Sequence, residues 1–334
     1  MRGTGAYDRG VLRPAVLDRV RPTSTRLMRG LAVAAVAAQA GIAVTGSVVR
    51  VTGSGLGCPT WPECFPGSLV PTPHPEVAAL TQWIEFGNRL LTGVVVLVAG
   101  LCLLAALNTR PRRARLTRLA LVQPVGVVVQ AVLGGMTVLL GLVWWSVAVH
   151  FLASMVMVWL AVQLVQAATE GPGPARPLVT APVRRLIGFS TAVLAALLVA
   201  GTLVTAAGPH AGDAATPRLG LGVPAVAQLH ADLLFGYLGL LVGLGFTLAA
   251  VRAPTRMWSR YRVLLAAVLA QGALGAVQYA LGVPEALVSL HVLGAALVTV
   301  AAAALWAGTV ERPPAADSAI EAAPDAAGLT RTGA

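Results

Sequence analysis

Eight apolar runs set the terms for this chain. They cover about residues 27–49, 83–107, 117–140, 145–168, 183–206, 225–250, 259–281 and 285–309. Each matches the roughly 20 apolar residues that a bilayer-spanning helix needs. Only 11% of the 334 residues are charged and 57% are hydrophobic, with a mean hydropathy of +0.78. A soluble domain carries about 25% charged residues. The composition therefore excludes a soluble enzyme on a single anchor and predicts an all-α integral membrane protein with eight transmembrane helices.

The charge that remains is placed by side. All 24 basic residues are arginine, and the formal net charge is +11. Such a balance also suits nucleic-acid binding, but here the arginines lie in short loops between apolar runs. Arg2, Arg9, Arg13, Arg19, Arg21, Arg26 and Arg29 precede or open the first run. Arg110, Arg112, Arg113, Arg115 and Arg118 follow the second, and Arg176, Arg184, Arg185, Arg252, Arg256, Arg260 and Arg262 fill the later loops on that side. The opposite loops hold only Arg50 and Arg218, besides Arg89 at a helix start. The positive-inside rule then places both termini in the cytoplasm. No cleavable signal is evident before the first run. Residues 1–26 read as a cytoplasmic N-terminal tail. Residues 311–334, polar and rich in Ala and Pro, read as a disordered cytoplasmic tail. Abundant Ala, Val, Leu and Gly without Lys suggests a high-GC, actinobacterial-like bacterial genome, and so a bacterial plasma membrane.

The two halves repeat. QAVLGGMTVLLGLVWWSVAVHFL (130–152) aligns with QGALGAVQYALGVPEALVSLHVL (271–293) without gaps, pairing Gln130 with Gln271, Gly134 with Gly275, Gly141 with Gly282 and His150 with His291. GSVV (46–49) echoes GTLV (201–204). The simplest architecture is two tandem pseudo-symmetric four-helix bundles, 27–169 and 183–310, joined by a cytoplasmic linker at 170–182. Repeats are common in transporters too, so this pattern alone selects no function.

Polar residues inside spans are functional candidates. His150, His230 and His291 lie a few residues into runs four, six and eight, all entering from the outside, within about two turns of that face. Run two has no histidine; Asn88 stands at the matching depth, with Glu85 one turn earlier. A helix bundle can hold a haem with an imidazole on each face of the iron. His230 and His291 make such a pair, and His150 makes half of one. For a single histidine an interior hydrogen-bonded residue or a proton relay is the stronger reading, but three at one depth favour haem. His74 and His210 fall in outer loops among turn residues and are left unassigned.

The first outer loop, 50–82, carries Cys58 and Cys64. On the oxidising side of a membrane a disulfide is the default, and closing so short a loop stabilises by about 2 kcal/mol in the chain-entropy model. Thiol exchange is the alternative; zinc lacks a second thiol pair. Cys102 reads as packing, and Trp61, Trp144 and Trp145 as an interfacial belt. Glu85 and Arg89 are spaced to form an i,i+4 ion pair.

GSVVRVTGSGLGCPTWPEC, IEFGNRL, GGMTVLLGLVWWSVAVHFL, GTLVTAAGPHAGD, QLHADLL and QGALGAVQYALGVPEALVSLHVLGA, in that order along about residues 30–308, resemble the haem A synthase family. These oxidase-assembly enzymes convert haem O to haem A. The resemblance implies that the C-terminal half holds a haem b cofactor through His230 and His291. It implies that the N-terminal half receives haem O, with His150 matching one of its two histidines. It marks Glu85 as catalytic, and it matches Cys58 and Cys64 to the family's paired cysteines. One position departs from the pattern: the family usually has a second histidine three residues after the glutamate, where this chain has Asn88. Two-histidine ligation of the substrate haem is thereby in question.

The implied reaction oxidises one methyl of haem O to a formyl group through two hydroxylations and loss of water. Glu85 can stabilise positive charge at the reacting carbon or move a proton. Arg50 and Arg89 at the rim can grip a propionate bidentately, and Asn88 can face the substrate iron opposite His150. The partners implied are the lipid bilayer, a haem O synthase and terminal-oxidase assembly, with the haem sites near the outer face. The rival readings are a di-haem electron carrier, a haem-handling assembly factor without synthase activity, and a transporter.

Overall fold

Residues 21–313 are described in a computed structural model. The chain forms eight long helices: α1 (Thr25–Val51), α2 (Ala79–Leu107), α3 (Ala114–Leu139), α4 (Trp144–Thr169), α5 (Ala181–Ala207), α6 (Val223–Ala250), α7 (Thr255–Ala280) and α8 (Glu285–Ala307). All eight are long and apolar enough to cross a membrane. The starts are specified locally. Ser24 caps α1 by accepting a 3.2 Å hydrogen bond from Leu27 N. Prolines sit in the first turns of α5 and α6, where no amide hydrogen is needed. Helix α2 begins at Ala79, a turn earlier than the apolar run predicts; Gln82 folds its amide back to Val77 O at 2.9 Å and so satisfies a carbonyl ahead of the helix.

The packing inverts the soluble pattern. Large apolar side chains such as Phe246, Leu80, Phe235 and Leu97 stand exposed, as suits lipid. Much of the interior between α1, α2, α3 and α4 is alanine: Ala32, Ala35, Ala105, Ala106, Ala120, Ala161, Ala167 and Ala168. Small residues let helix backbones approach closely, which replaces the hydrophobic driving force that lipid removes.

Helix α1 packs on α2 and α4, and α3 on α2 and α4. Helix α5 packs chiefly on α6, and α7 on α8, while α8 also lies against α1 and α4, and α4 against α5. The turns α3–α4 and α7–α8 share one geometry. Gly141 and Leu142 have φ of 66° and 59°, and Gly282 and Val283 have 75° and 63°. A β-branched residue at positive φ is rare. Here Leu142 N bonds Thr137 O at 2.9 Å and Val283 N bonds Gln278 O at 2.8 Å, so both helices end in the same closing turn. His210, unassigned from sequence, places Nε2 2.9 Å from Val283 O and braces the second of these turns.

At the end that carries the first and last described residues, the polypeptide is more ordered than the sequence predicts. Arg176–Pro177 (β1) pairs antiparallel with Val310–Glu311 (β2), so the start of the expected tail at 311 is structured; its remainder, and residues 1–20, lie outside the described residues. Half-buried Glu170 accepts from Arg115 Nη1 at 2.6 Å and Arg312 Nη1 at 3.3 Å. Arg113 donates to the carbonyls of Ala167 and Glu170. Burial lowers the Arg113 guanidinium below its ordinary value, and Glu170 works against that.

Candidate functional site

The three histidines and Asn88 each stand beside a glycine of the neighbouring helix. A Cβ placed on Gly275 of α7 would lie 3.0 Å from Cε1 of His291 on α8, and one on Gly201 of α5 would lie 3.1 Å from Cε1 of His230 on α6. On Gly134 of α3 it would lie 3.4 Å from His150 on α4, and on Gly46 of α1 it would lie 4.0 Å from Asn88 Nδ2 on α2. Two of these contacts are tighter than ordinary packing. The glycines leave room for a side chain that faces inward beside a helix backbone. The pairings follow the repeat: Gly134 and Gly275 match, as do Gly46 and Gly201. Asn88 thus occupies the place that His230 holds in the second half.

His230 and His291 lie together, with ring centroids 6.4 Å apart and planes at 58°. A metal–imidazole bond of about 2 Å, with the ring nitrogen about 1 Å from its centroid, sets two imidazoles on opposite sides of one metal about 6 Å apart. The observed spacing fits an iron between them. His230 Nδ1 lies 3.1 Å from Leu197 O. That bond holds the ring and leaves Nε2 available to a metal, the arrangement usual for a metal-bound histidine. Buried Nδ1 of His291, like that of His150, has no hydrogen-bond partner among the described residues. Gln271 Nε2 holds the carbonyl of His291 at 2.9 Å, and Gln130 does the same for His150 at 3.4 Å. Both glutamines repeat with their histidines.

Glu85 sits beside Asn88, but it faces the loop between α1 and α2. It is 5% exposed. Its Oε2 accepts a 2.7 Å bond from Cys58 N, and its Oε1 accepts a 2.6 Å bond from Arg89 Nη2. Arg89 in turn donates to the carbonyls of Cys58 (2.7 Å), Thr60 (3.0 Å) and Glu63 (3.1 Å). The pair predicted from i,i+4 spacing is formed, and it also fastens a loop. Cys58 and Cys64 are disulfide-bonded and buried with Phe65. His74 stacks on Phe65 at 4.9 Å, so it belongs to the loop's own packing.

Arg50 ends α1 and sends Nη2 3.0 Å to Thr205 O, at the matching end of α5. The structure therefore places Arg50 at the junction of the two halves and Arg89 inside the disulfide loop.

Two site features escape sequence reading. A Cβ on Gly57 would meet Thr81 O at 2.3 Å and Gln82 N at 2.9 Å, so the loop lies directly on the backbone of α2. A Cβ on Gly135 would meet the Trp61 indole at 2.4 Å. Trp61, half exposed, thus docks on α3 one residue from the glycine beside His150. The signal for this was in the repeat, where Gly135 of the first half faces Ala276 in the second. Gly135→Ala is expected to displace Trp61 and loosen the loop with little effect on the second half. Tryptophan fluorescence and haem-binding spectra of that variant check this.

Residues 29–219 match the COX15-CtaA family, described as cytochrome oxidase assembly protein. The chain belongs to that family. Among its relatives is the heme A synthase of Shouchella clausii (strain KSM-K16), 31% identical over 135 residues, which are 40% of this chain and 43% of that protein. The heme A synthase of Lysinibacillus sphaericus (strain C3-41) is 46% identical over 72 residues, 21% of this chain and 22% of that protein. That of Geobacillus thermodenitrificans is 34% identical over 56 residues, 17% and 16% of the two chains. The matched stretches span less than half of each relative. The family match takes in α1 to α5, and with them Glu85, Asn88, His150 and the disulfide of this COX15-CtaA member.

Proposed function

We propose that this COX15-CtaA protein is a haem A synthase, an oxidoreductase that converts a methyl of haem O to a formyl group. The observation that carries this is the pairing of His230 with His291 at a two-imidazole spacing, together with a second glycine-backed site at His150 beside a buried, loop-held glutamate. The names of the relatives support it.

The architecture in this reading is two four-helix bundles, α1–α4 and α5–α8, with both termini cytoplasmic and the haem sites near the outer face of a bacterial plasma membrane. The seam supports a two-fold relation. The repeat exchanges α1 with α5 and α4 with α8; α4 meets α8, and the contact of α1 with α8 has its mate in that of α5 with α4. The arginine-rich loops fall at the end that holds Arg113, Glu170 and Arg312, which supports the orientation.

His230 and His291 would hold haem b, which when bound supplies a one-electron relay. His150 would hold the iron of haem O, the substrate. Gly134 and Gly46 let the His150 ring and the Asn88 amide stand close beside the backbones of α3 and α1. Glu85 works at Oε1 and Oε2: fixed by Cys58 N and Arg89, the carboxylate neither rotates nor needs reorganisation as charge develops at the reacting carbon, which is where such groups lower barriers most. It also moves a proton as each hydroxyl is added. Each hydroxylation converts C–H to C–OH, with oxygen and electrons from outside the chain, and the diol loses water to give the aldehyde. Arg89 positions Glu85. Arg50, beside the seam, is the propionate partner retained in this reading. The product would serve terminal-oxidase assembly, with haem O delivered from its synthase.

The test is expression of the full chain beside a haem O source, followed by extraction and chromatography of the haems. Haem A is the expected product. Bound haem with haem O unaltered would favour an electron carrier or assembly factor, and a colourless protein would favour a transporter.

A further inference from the structure

We infer that Asn88 is an oriented hydrogen-bond donor on the open face of the substrate haem, opposite His150, and that Thr45 sets its orientation. The inference rests on the proposed haem site in the first half and concerns how that site treats a small ligand.

The oxygen of the Asn88 amide is engaged: Thr45 Oγ1 donates to Asn88 Oδ1 at 2.7 Å. The nitrogen end lies beside Gly46, where the His230 ring lies beside Gly201. An amide NH₂ carries two donors and no lone pair for a metal. No described residue accepts a hydrogen bond from Asn88 Nδ2. With its oxygen held by Thr45 and its nitrogen unable to ligate, Asn88 would leave an iron bound there with His150 as its one protein ligand. What it offers the other face is two N–H groups.

The repeat shows that this is a paired exchange. At the second-half site the residue matching Thr45 is Ala200, and the one matching Asn88 is His230. His230 is oriented by Leu197 O at 3.1 Å. The residue matching Leu197 is Ile42, whose carbonyl lies 3.2 Å from Thr45 Oγ1. One site thus has an imidazole steered by a backbone carbonyl. The other has an amide steered by a hydroxyl on the same helix face. The first would close both faces of an iron held there; the second would keep one face for an exogenous ligand and line it with donors. Donors and steric access on that face govern ligand handling by a haem iron.

Cyanide is the probe. The full chain, purified with its haems and counted for haem per protein, is titrated with cyanide in the ferric state while the spin state is read from the absorption spectrum. Wild type is expected to hold two haems, one low-spin and indifferent to cyanide, the other binding it. His150→Ala should remove the second. Asn88→Leu, which keeps the volume without the donors, should weaken cyanide at least about tenfold, as loss of one hydrogen bond to a charged ligand predicts. Thr45→Val should weaken it by less. Asn88→His should abolish cyanide binding and make both haems low-spin. The low-spin spectrum of the second-half haem reports that each variant is folded. Two haems with cyanide affinity unchanged in both Asn88→Leu and Thr45→Val would overturn the inference and leave the proposed function standing. A high-spin haem persisting in Asn88→His would do the same. A cyanide-binding haem that survives His150→Ala, or no haem beyond the low-spin one, would overturn both.

Discussion

Glu85→Ala is expected to abolish haem A formation while haem b stays bound. The carboxylate is the only acidic group on α2, and it is fixed at both oxygens by Cys58 N and Arg89. Removing one preorganised electrostatic group from a buried site costs about 10²–10³ in turnover, enough to take the product below detection in a haem extract. The alanine variant also leaves Arg89 without its anion, and breaking a buried pair by removing one partner is destabilising by about 3 kcal/mol or more. Glu85→Gln separates the two effects. It retains an oxygen for one of the two donors and removes the charge. Equal loss of product in both variants, with the haem b spectrum intact, assigns the effect to chemistry. An active Glu85→Ala enzyme would sink the catalytic role.

Gly57→Ala is expected to match Glu85→Ala in lost activity without touching any charged group. The new methyl would need to occupy space 2.3 Å from Thr81 O and 2.6 Å from the Thr81 carbonyl carbon. Both are backbone atoms in the first turn of α2, so no side-chain rotation relieves the contact. The loop must lift. Cys58 N is the next amide along the chain and moves with it, taking away the bond to Glu85 Oε2 and drawing on the carbonyls that hold Arg89. The haem A yield and the haem b spectrum are the measurements. Full activity in Gly57→Ala would show that the loop does not need to rest on α2 to position the carboxylate.

The eight spans were legible because apolar length is a one-dimensional property. The common depth of His150, His230 and His291 was legible too, since depth along a helix follows from residue count. What Arg89 touches was not. Its i,i+4 partner could be read from spacing, but its bonds to Cys58 O, Thr60 O and Glu63 O depend on a loop folding back across more than twenty residues. The same limit hid Trp61 on Gly135 and Gly57 on Thr81. Asn88 is intermediate: sequence flagged it as the missing histidine, while the Thr45 bond that decides which end of the amide is free comes from a helix 43 residues away. Of the strand pair β1–β2, only Glu311 falls in the segment expected to be disordered, Arg176 and Pro177 fall in the expected linker, and two residues on each side leave no periodicity to detect.

The seam between α4 and α8 is fastened at both ends. At the end that carries the disulfide loop, Gly55 N bonds Gly212 O at 2.8 Å and Arg50 bonds Thr205 O. Toward the opposite end, Gln163 Nε2 reaches Ala303 O at 3.2 Å, Arg260 Nη2 reaches Gln166 at 3.0 Å, and β1 pairs with β2. A protein that carries cargo by alternating access rocks one repeat against the other, and such motion would have to break both sets of bonds together. The arrangement is that of a rigid chassis. In the proposed function, the distance between the two imidazole sites would then be set by the fold, and the rate at which an electron crosses it would be tuned by what fills the gap rather than by any movement of the halves.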